Sequence, residues 1–149
     1  MKVIVDANIV FSAILNSNGK IGDLLLNSEG NIKFVSLQYM LFEVTKYHNK
    51  IQKITGLPRS VIEKIQLKIL KRITLFSEEL ISKESWMKAE DIVKDIDPKD
   101  TPYVAFSDSL GIKIWTGDKP LRKGLLNKGY NLEITTEELY KLRNKLKKQ

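Results

Sequence analysis

Short apolar runs rich in β-branched residues alternate along the chain with longer stretches whose apolar positions recur every three or four residues. "KVIV" (2–5), "KFVSL" (33–37), "ITLFS" (73–77), "KIWTG" (113–117) and "LEITT" (132–136) have the length and composition of strands. Between them, Leu37, Met40, Leu41, Val44 and Ile51 form one helical stripe, and Val61, Ile62, Ile65, Ile69 and Ile73 form another. Gly56 and Pro58 break the two apart. The spacing predicts further helices over Lys83–Lys94, Thr101–Leu110, Pro120–Asn127 and Thr136–Lys147. Strands that alternate with helices predict an α/β fold, a three-layer sandwich around a mostly parallel five-stranded sheet. No repeat, low-complexity tract or linker divides the 149 residues. A single domain over 1–149 is expected, with a basic C-terminal helix and tail at about 136–149.

In a parallel sheet of this kind ligands bind beyond the carboxyl ends of the strands, where strand order reverses. Carboxylates stand at those ends. In "KVIVDANIVF" Asp6 follows the first strand, with Asn8 two residues on; in "WTGDKPL" Asp118 follows the fourth. Asp100 opens a helix within "DPKDTPYVAFS", and Glu43 lies in the helix after the second strand, in line with Met40 and Tyr47. Each has an ordinary explanation. Aspartate is a favoured N-cap, worth about 1 kcal/mol, and Pro102 and Pro120 suit a first helical turn. Glu43 alone reads as the edge of an apolar stripe. Together, however, these acids converge on one cleft if the strand ends meet there, and ionised carboxylates crowd together only around a cation. Oxygen-only donors select a hard divalent ion, Mg²⁺ or Mn²⁺.

Composition narrows the chemistry further. The absence of cysteine excludes disulfides, thiolate catalysis and Cys-based zinc sites. His48 is the only histidine and reads as a helix-surface residue, so no histidine-pair or Ser–His mechanism is on offer. No apolar run is long enough for a membrane span and the N-terminus shows no signal-peptide pattern, which together predict a cytoplasmic protein without membrane contact. The net charge of +7 and pI near 9.5 come mainly from lysine. "KPLRKGLLNK" (119–128) and "KLRNKLKKQ" (141–149) concentrate it, which suits polyanion binding as well as simple solubility.

"VDANIVFSAIL", Glu43, "DPKDTPYVAFS" and "WTGDKPL", in this order and spacing, resemble the four acidic motifs of the PIN-domain nucleases. The resemblance runs from Lys2 to about Thr136. It implies strand order 3-2-1-4-5 and metal-dependent endonucleolytic cleavage of single-stranded or flexible RNA. Carried over by position, Asp6, Glu43, Asp100 and Asp118 are the catalytic, metal-binding acids, while Asn8 and Thr116 support them. Many small members are toxins of VapBC-type toxin–antitoxin pairs, so an antitoxin that covers the acids with a cationic side chain is the expected protein partner. A homodimer is the other expectation; "IGDLLL" and the Leu37–Ile51 segment could serve dimer or partner contacts, although core packing explains most of their apolar character. Many members carry one more acid two residues after the position of Asp118; Pro120 stands there, which leaves one or two metal ions open.

Because the acids repel RNA, Lys119, Arg122, Lys123 and Lys128 are expected to form a phosphate-binding rim. Asp97, three residues before Asp100, could contribute a carboxylate but reads first as loop surface; Asp108 reads as surface, Trp115 as core, and Tyr103 as either core or a stacking platform for a base. Two rivals remain. A phosphatase of the haloacid-dehalogenase type also uses a strand-end aspartate but needs a second one two residues later, where Asn8 stands. A non-catalytic basic RNA- or protein-binding module on a PIN-like scaffold is the alternative outside enzymes.

Overall fold

Val3, Ile4 and Val5 are fully buried on successive positions, so both faces of the first strand are covered and it lies at the centre of a sheet. The computed structural model describes residues 1–149. Its five strands are β1 (Lys2–Val5), β2 (Lys33–Leu37), β3 (Ile73–Phe76), β4 (Ile114–Trp115) and β5 (Glu133–Ile134). They form one parallel sheet of order β3-β2-β1-β4-β5. β1 pairs with β2 on one side and with β4 on the other, Ile4 opposite Val35 and Ile114. The strand order therefore reverses between β1 and β4, and their carboxyl ends lie side by side.

Nine α-helices complete the chain: α1 (Ala7–Leu15), α2 (Lys20–Leu26), α3 (Gln38–Lys46), α4 (His48–Thr55), α5 (Arg59–Leu70), α6 (Lys83–Val93), α7 (Thr101–Leu110), α8 (Lys119–Asn127) and α9 (Thr136–Lys147). Helices α2 to α5 contact α1, while α6 contacts α7, which lies against β2 and β4; the right-handed crossover rule assigns the two groups to opposite faces of the sheet. Phe106 of α7 meets Phe76 of β3 at 5.8 Å between ring centroids. Helix α9 reaches α2, where the buried Arg143 guanidinium donates to the Asn27 carbonyl, the Ser28 hydroxyl and Asp23. One continuous hydrophobic core runs through both layers, with Trp115 fully buried and its Nε1–H donating to Thr136 Oγ1.

The structure departs from the expected elements in three places. The Leu37–Ile51 segment is two helices, because the chain turns at Tyr47, whose N–H donates to the Val44 carbonyl and whose ring packs on Phe11. No glycine or proline marks that turn. β4 and β5 pair over only two residues each, since Asp118 and Thr135 cap the helices that follow almost at once. Finally, "IGDLLL" lies in α2, a helix that the spacing did not predict, with Leu24 and Leu25 buried in the core. The exposed apolar side chains of α3 are Leu41 and Phe42. No helix is long and apolar enough to cross a membrane.

Candidate functional site

Asp6 ends β1 and caps α1: its Oδ1 accepts from the Ile9 amide at 2.9 Å. Asp118 does the same after β4, its Oδ1 accepting from the Leu121 amide at 3.0 Å at the start of α8. Thr116 is buried between them. Its Oγ1 accepts from the Asp118 amide at 3.1 Å, and its side chain hydrogen-bonds Asp6. Capping occupies one oxygen of each aspartate, which leaves the other for a second partner. The ordinary and the functional readings of these residues are thus compatible.

Glu43 comes from α3 and Asp100 from the 3₁₀ turn Pro98–Asp100 before α7. Glu43 Oε1 accepts from the Tyr103 hydroxyl at 2.6 Å. Tyr103 is buried, and its ring lies 6.0 Å from that of Tyr39, so the phenol holds Glu43 from within the core. Asp100 is joined by Asp97, which caps the 3₁₀ turn and accepts from the Lys99 amide at 3.1 Å. One carboxylate oxygen from each of Asp97, Asp100 and Asp118 lies within 4.8 Å of the others. Asp97 therefore belongs to the cluster, although its sequence position suggested a surface loop.

The electrostatics follow from this crowding. Burial pushes Asp6 up to about 6, against the hydrogen bonds from Thr116 and Ile9, with Glu43 and Asp118 adding repulsion. Burial and then repulsion from Asp97, Asp118, Asp6 and Glu43 push Asp100 up to about 7. Glu43 is raised by burial, with Tyr103, Lys46 and Lys99 pulling the other way. Glu43 and Asp118 thus act on both Asp6 and Asp100, and Asp6 acts on Asp100 as well. Asp100 Oδ2 is buried without any hydrogen-bond partner. An oxygen-only donor set, mutual repulsion and an orphaned carboxylate oxygen fit a hard divalent cation.

A further acid escaped the sequence reading. Glu133 on β5 is 5% exposed, and its Oε1 has no partner. Burial, then the charges of Asp118 and Asp6, push it up to about 8. Strand alternation opposes Glu133 to Ile134, which in a half-exposed sheet would turn it to solvent. Here α8 covers that face, and Glu133 lies against Arg122 and Leu125.

The supporting and basic residues are distributed as follows. Asn8 is exposed and shares a cleft of about 300 Å³ with Gly117 and Asp118. Lys119 and Lys123 are exposed on α8; Arg122 pairs with Glu138 at 3.2 Å. Lys128 lies further off, bound to Asp95 and to the Ile92 carbonyl of α6. Two lysines that the sequence did not single out, Lys46 and Lys99, are the cations that act on Glu43. His48 is half-buried, its Nε2 paired with Gln66 Oε1 between α4 and α5. Asp108 is tied to Ser85 and Lys88 of α6.

The PIN-domain sequence profile matches residues 4–143. No curated protein matches the chain in sequence. Among solved structures, PAE2754 from Pyrobaculum aerophilum superposes with a TM-score of 0.68 at 14% identity, covering 100% of this chain and 91% of that one. VapBC2 from Rickettsia felis, bound to a DNA fragment from its promoter, superposes with a TM-score of 0.64 at 14% identity, covering 91% and 97%. At this identity the two likenesses show the fold; the profile over nearly the whole sequence shows the family. The chain belongs to the PIN-domain family.

Proposed function

We propose that this protein is a divalent-metal-dependent endoribonuclease that hydrolyses phosphodiester bonds in single-stranded or flexible RNA. The observation that carries the reading is the grouping of Asp97, Asp100 and Asp118, one carboxylate oxygen of each within 4.8 Å of the others, with Asp6 and Glu43 near enough to raise Asp100 and with Asp100 Oδ2 lacking any protein partner. Asp6, Glu43, Asp100 and Asp118 would hold Mg²⁺ or Mn²⁺, and Asp97 adds a carboxylate where the acid absent at Pro120 leaves the set short. A bound divalent ion supplies a water of lowered pKa and offsets charge on the phosphoryl oxygens as they crowd the transition state.

The remaining work falls to the chain. The Ile9 and Leu121 amides fix one oxygen each of Asp6 and Asp118, so both carboxylates are held before substrate arrives. Tyr103 fixes Glu43 in the same way. Thr116 links Asp6 to the turn that carries Asp118. Lys119, Arg122 and Lys123, at the start of α8, would contact phosphates and draw the strand to an otherwise repulsive cleft; Lys128 is already engaged with Asp95.

A toxin role within a toxin–antitoxin pair, in the cytoplasm, belongs to the same reading, supported by the family and by the likeness to VapBC2. Its partner would be an antitoxin that lays a cationic side chain over the acids, and a homodimer would use the exposed face of α3. The test is incubation of an unstructured RNA oligonucleotide with Mn²⁺, with and without chelator. Metal-dependent cleavage is expected, lost at least about 100-fold in Asp118→Asn. Asparagine caps a helix as well as aspartate, so this variant keeps its fold by circular dichroism. RNA binding without metal-dependent cleavage would instead identify a binding module.

A further inference from the structure

Beside the acids lies a groove of about 760 Å³ lined by Tyr39, Phe42, Trp86, Pro98 and Pro102, with Lys99 at its edge. None of the clustered acids lines it, but its walls adjoin them along the chain. Phe42 precedes Glu43 on α3, and Pro98 and Lys99 lie between Asp97 and Asp100. Phe42 is 60% exposed, an unusual position for a phenylalanine next to a polar site. The Lys46 ammonium rests 4.4 Å from the centroid of the Phe42 ring. Lys46 and Lys99 are the cations that act on Glu43, and neither forms an ion pair with a carboxylate. The groove also contains two carboxylates, each engaged: Glu78 accepts from the Tyr39 amide and Glu90 from Trp86 Nε1.

We propose that this groove holds an unstacked nucleobase of the RNA strand, with Lys46 and Lys99 taking the phosphates between that base and the acids. The inference rests on the nuclease reading above and names the part of the substrate that lies outside the reacting bond. Flat aromatic and proline faces suit a nucleobase, which every nucleotide offers irrespective of sequence. Two unpaired lysines stand where the backbone must pass from groove to acids, whereas the carboxylates inside the groove would repel a phosphate and leave room only for the neutral base. A base can enter only when it is not paired, so the groove selects single strands over duplex.

Trp86 is half-buried in the groove wall and Trp115 is fully buried, so quenching of tryptophan fluorescence reports on the groove. The protein in chelator is titrated with a short unstructured RNA and with a duplex of the same composition. The single strand is expected to quench and the duplex not. Phe42→Ala should weaken binding about tenfold, with affinity recovered in Phe42→Tyr. Lys99→Ala should lower the dependence of log affinity on log salt by about one. Equal affinity of wild type and Phe42→Ala, equal quenching by duplex, or quenching only by a basic peptide would each overturn the assignment. The two readings fail separately. Mn²⁺-dependent cleavage with unchanged Phe42→Ala binding removes only the groove, whereas groove-dependent binding without cleavage by any metal removes the nuclease.

Discussion

Asp6 and Asp118 each use one carboxylate oxygen to cap a helix through a backbone amide, which is compatible with a chemical role for the same side chain. The same division of labour appears at Glu43, held by Tyr103. Tyr103→Phe removes that bond and keeps the ring: we expect a stability loss of about 1 kcal/mol and a fall in kcat of about tenfold with KM little changed, read by denaturation and steady-state cleavage. Glu133 behaves differently, because its Oε1 has no protein partner at all. Its pKa is raised to about 8 from an ordinary 4.5, so its favourable contribution is present at low pH and is lost as pH rises through about 8. Glu133→Gln should therefore stabilise the metal-free protein by about 1 kcal/mol at pH 9 and by less at pH 6 in urea denaturation. The sequence disclosed Asp6 and Asp118 because each stands where a strand stops. Glu133 stayed hidden by a strand alternation that reads as solvent-facing, and Asp97, a possible contributor by its spacing from Asp100, was set down as surface because a loop position gives no hint of direction.

At the scale of elements, five strands in a mostly parallel sheet were legible from short β-branched runs separated by helical stripes, whereas their order followed only from the resemblance to the PIN-domain family. The division of α3 from α4 was not, because Tyr47 turns the chain by packing on Phe11 rather than by a residue that forbids a helix. Helix α2 was equally obscure: seven residues are too few to show a period. Its position depends on Gly22, where an added Cβ would fall 2.2 Å from the Ser17 carbonyl oxygen. Alanine is intrinsically better in a helix by about 1 kcal/mol, yet Gly22→Ala should destabilise the protein by about 1–3 kcal/mol in thermal or urea unfolding, because the backbone of the preceding turn must move. An unchanged or raised Tm would show that α2 tolerates a shift away from Ser17.

At the scale of the whole molecule, a chain of net charge +7 holds a concentration of buried and half-buried acids. Asp6, Asp100 and Glu133 are raised to about 6, 7 and 8, all above their ordinary values. Each group favours the folded state when protonated, so stability without metal should fall as pH rises from about 4 to about 8. Divalent metal should reverse this trend and raise the Tm more at pH 8 than at pH 5, as thermal scans with and without Mn²⁺ would reveal. Calorimetric titration of Mn²⁺ into wild-type protein and Asp100→Asn at pH 8 addresses the cluster itself most directly. Saturable binding by the wild type, weakened at least about tenfold in the variant, is the predicted result. No binding, or equal binding by the two proteins, would contradict the assignment of these carboxylates to a cation and with it the proposed chemistry.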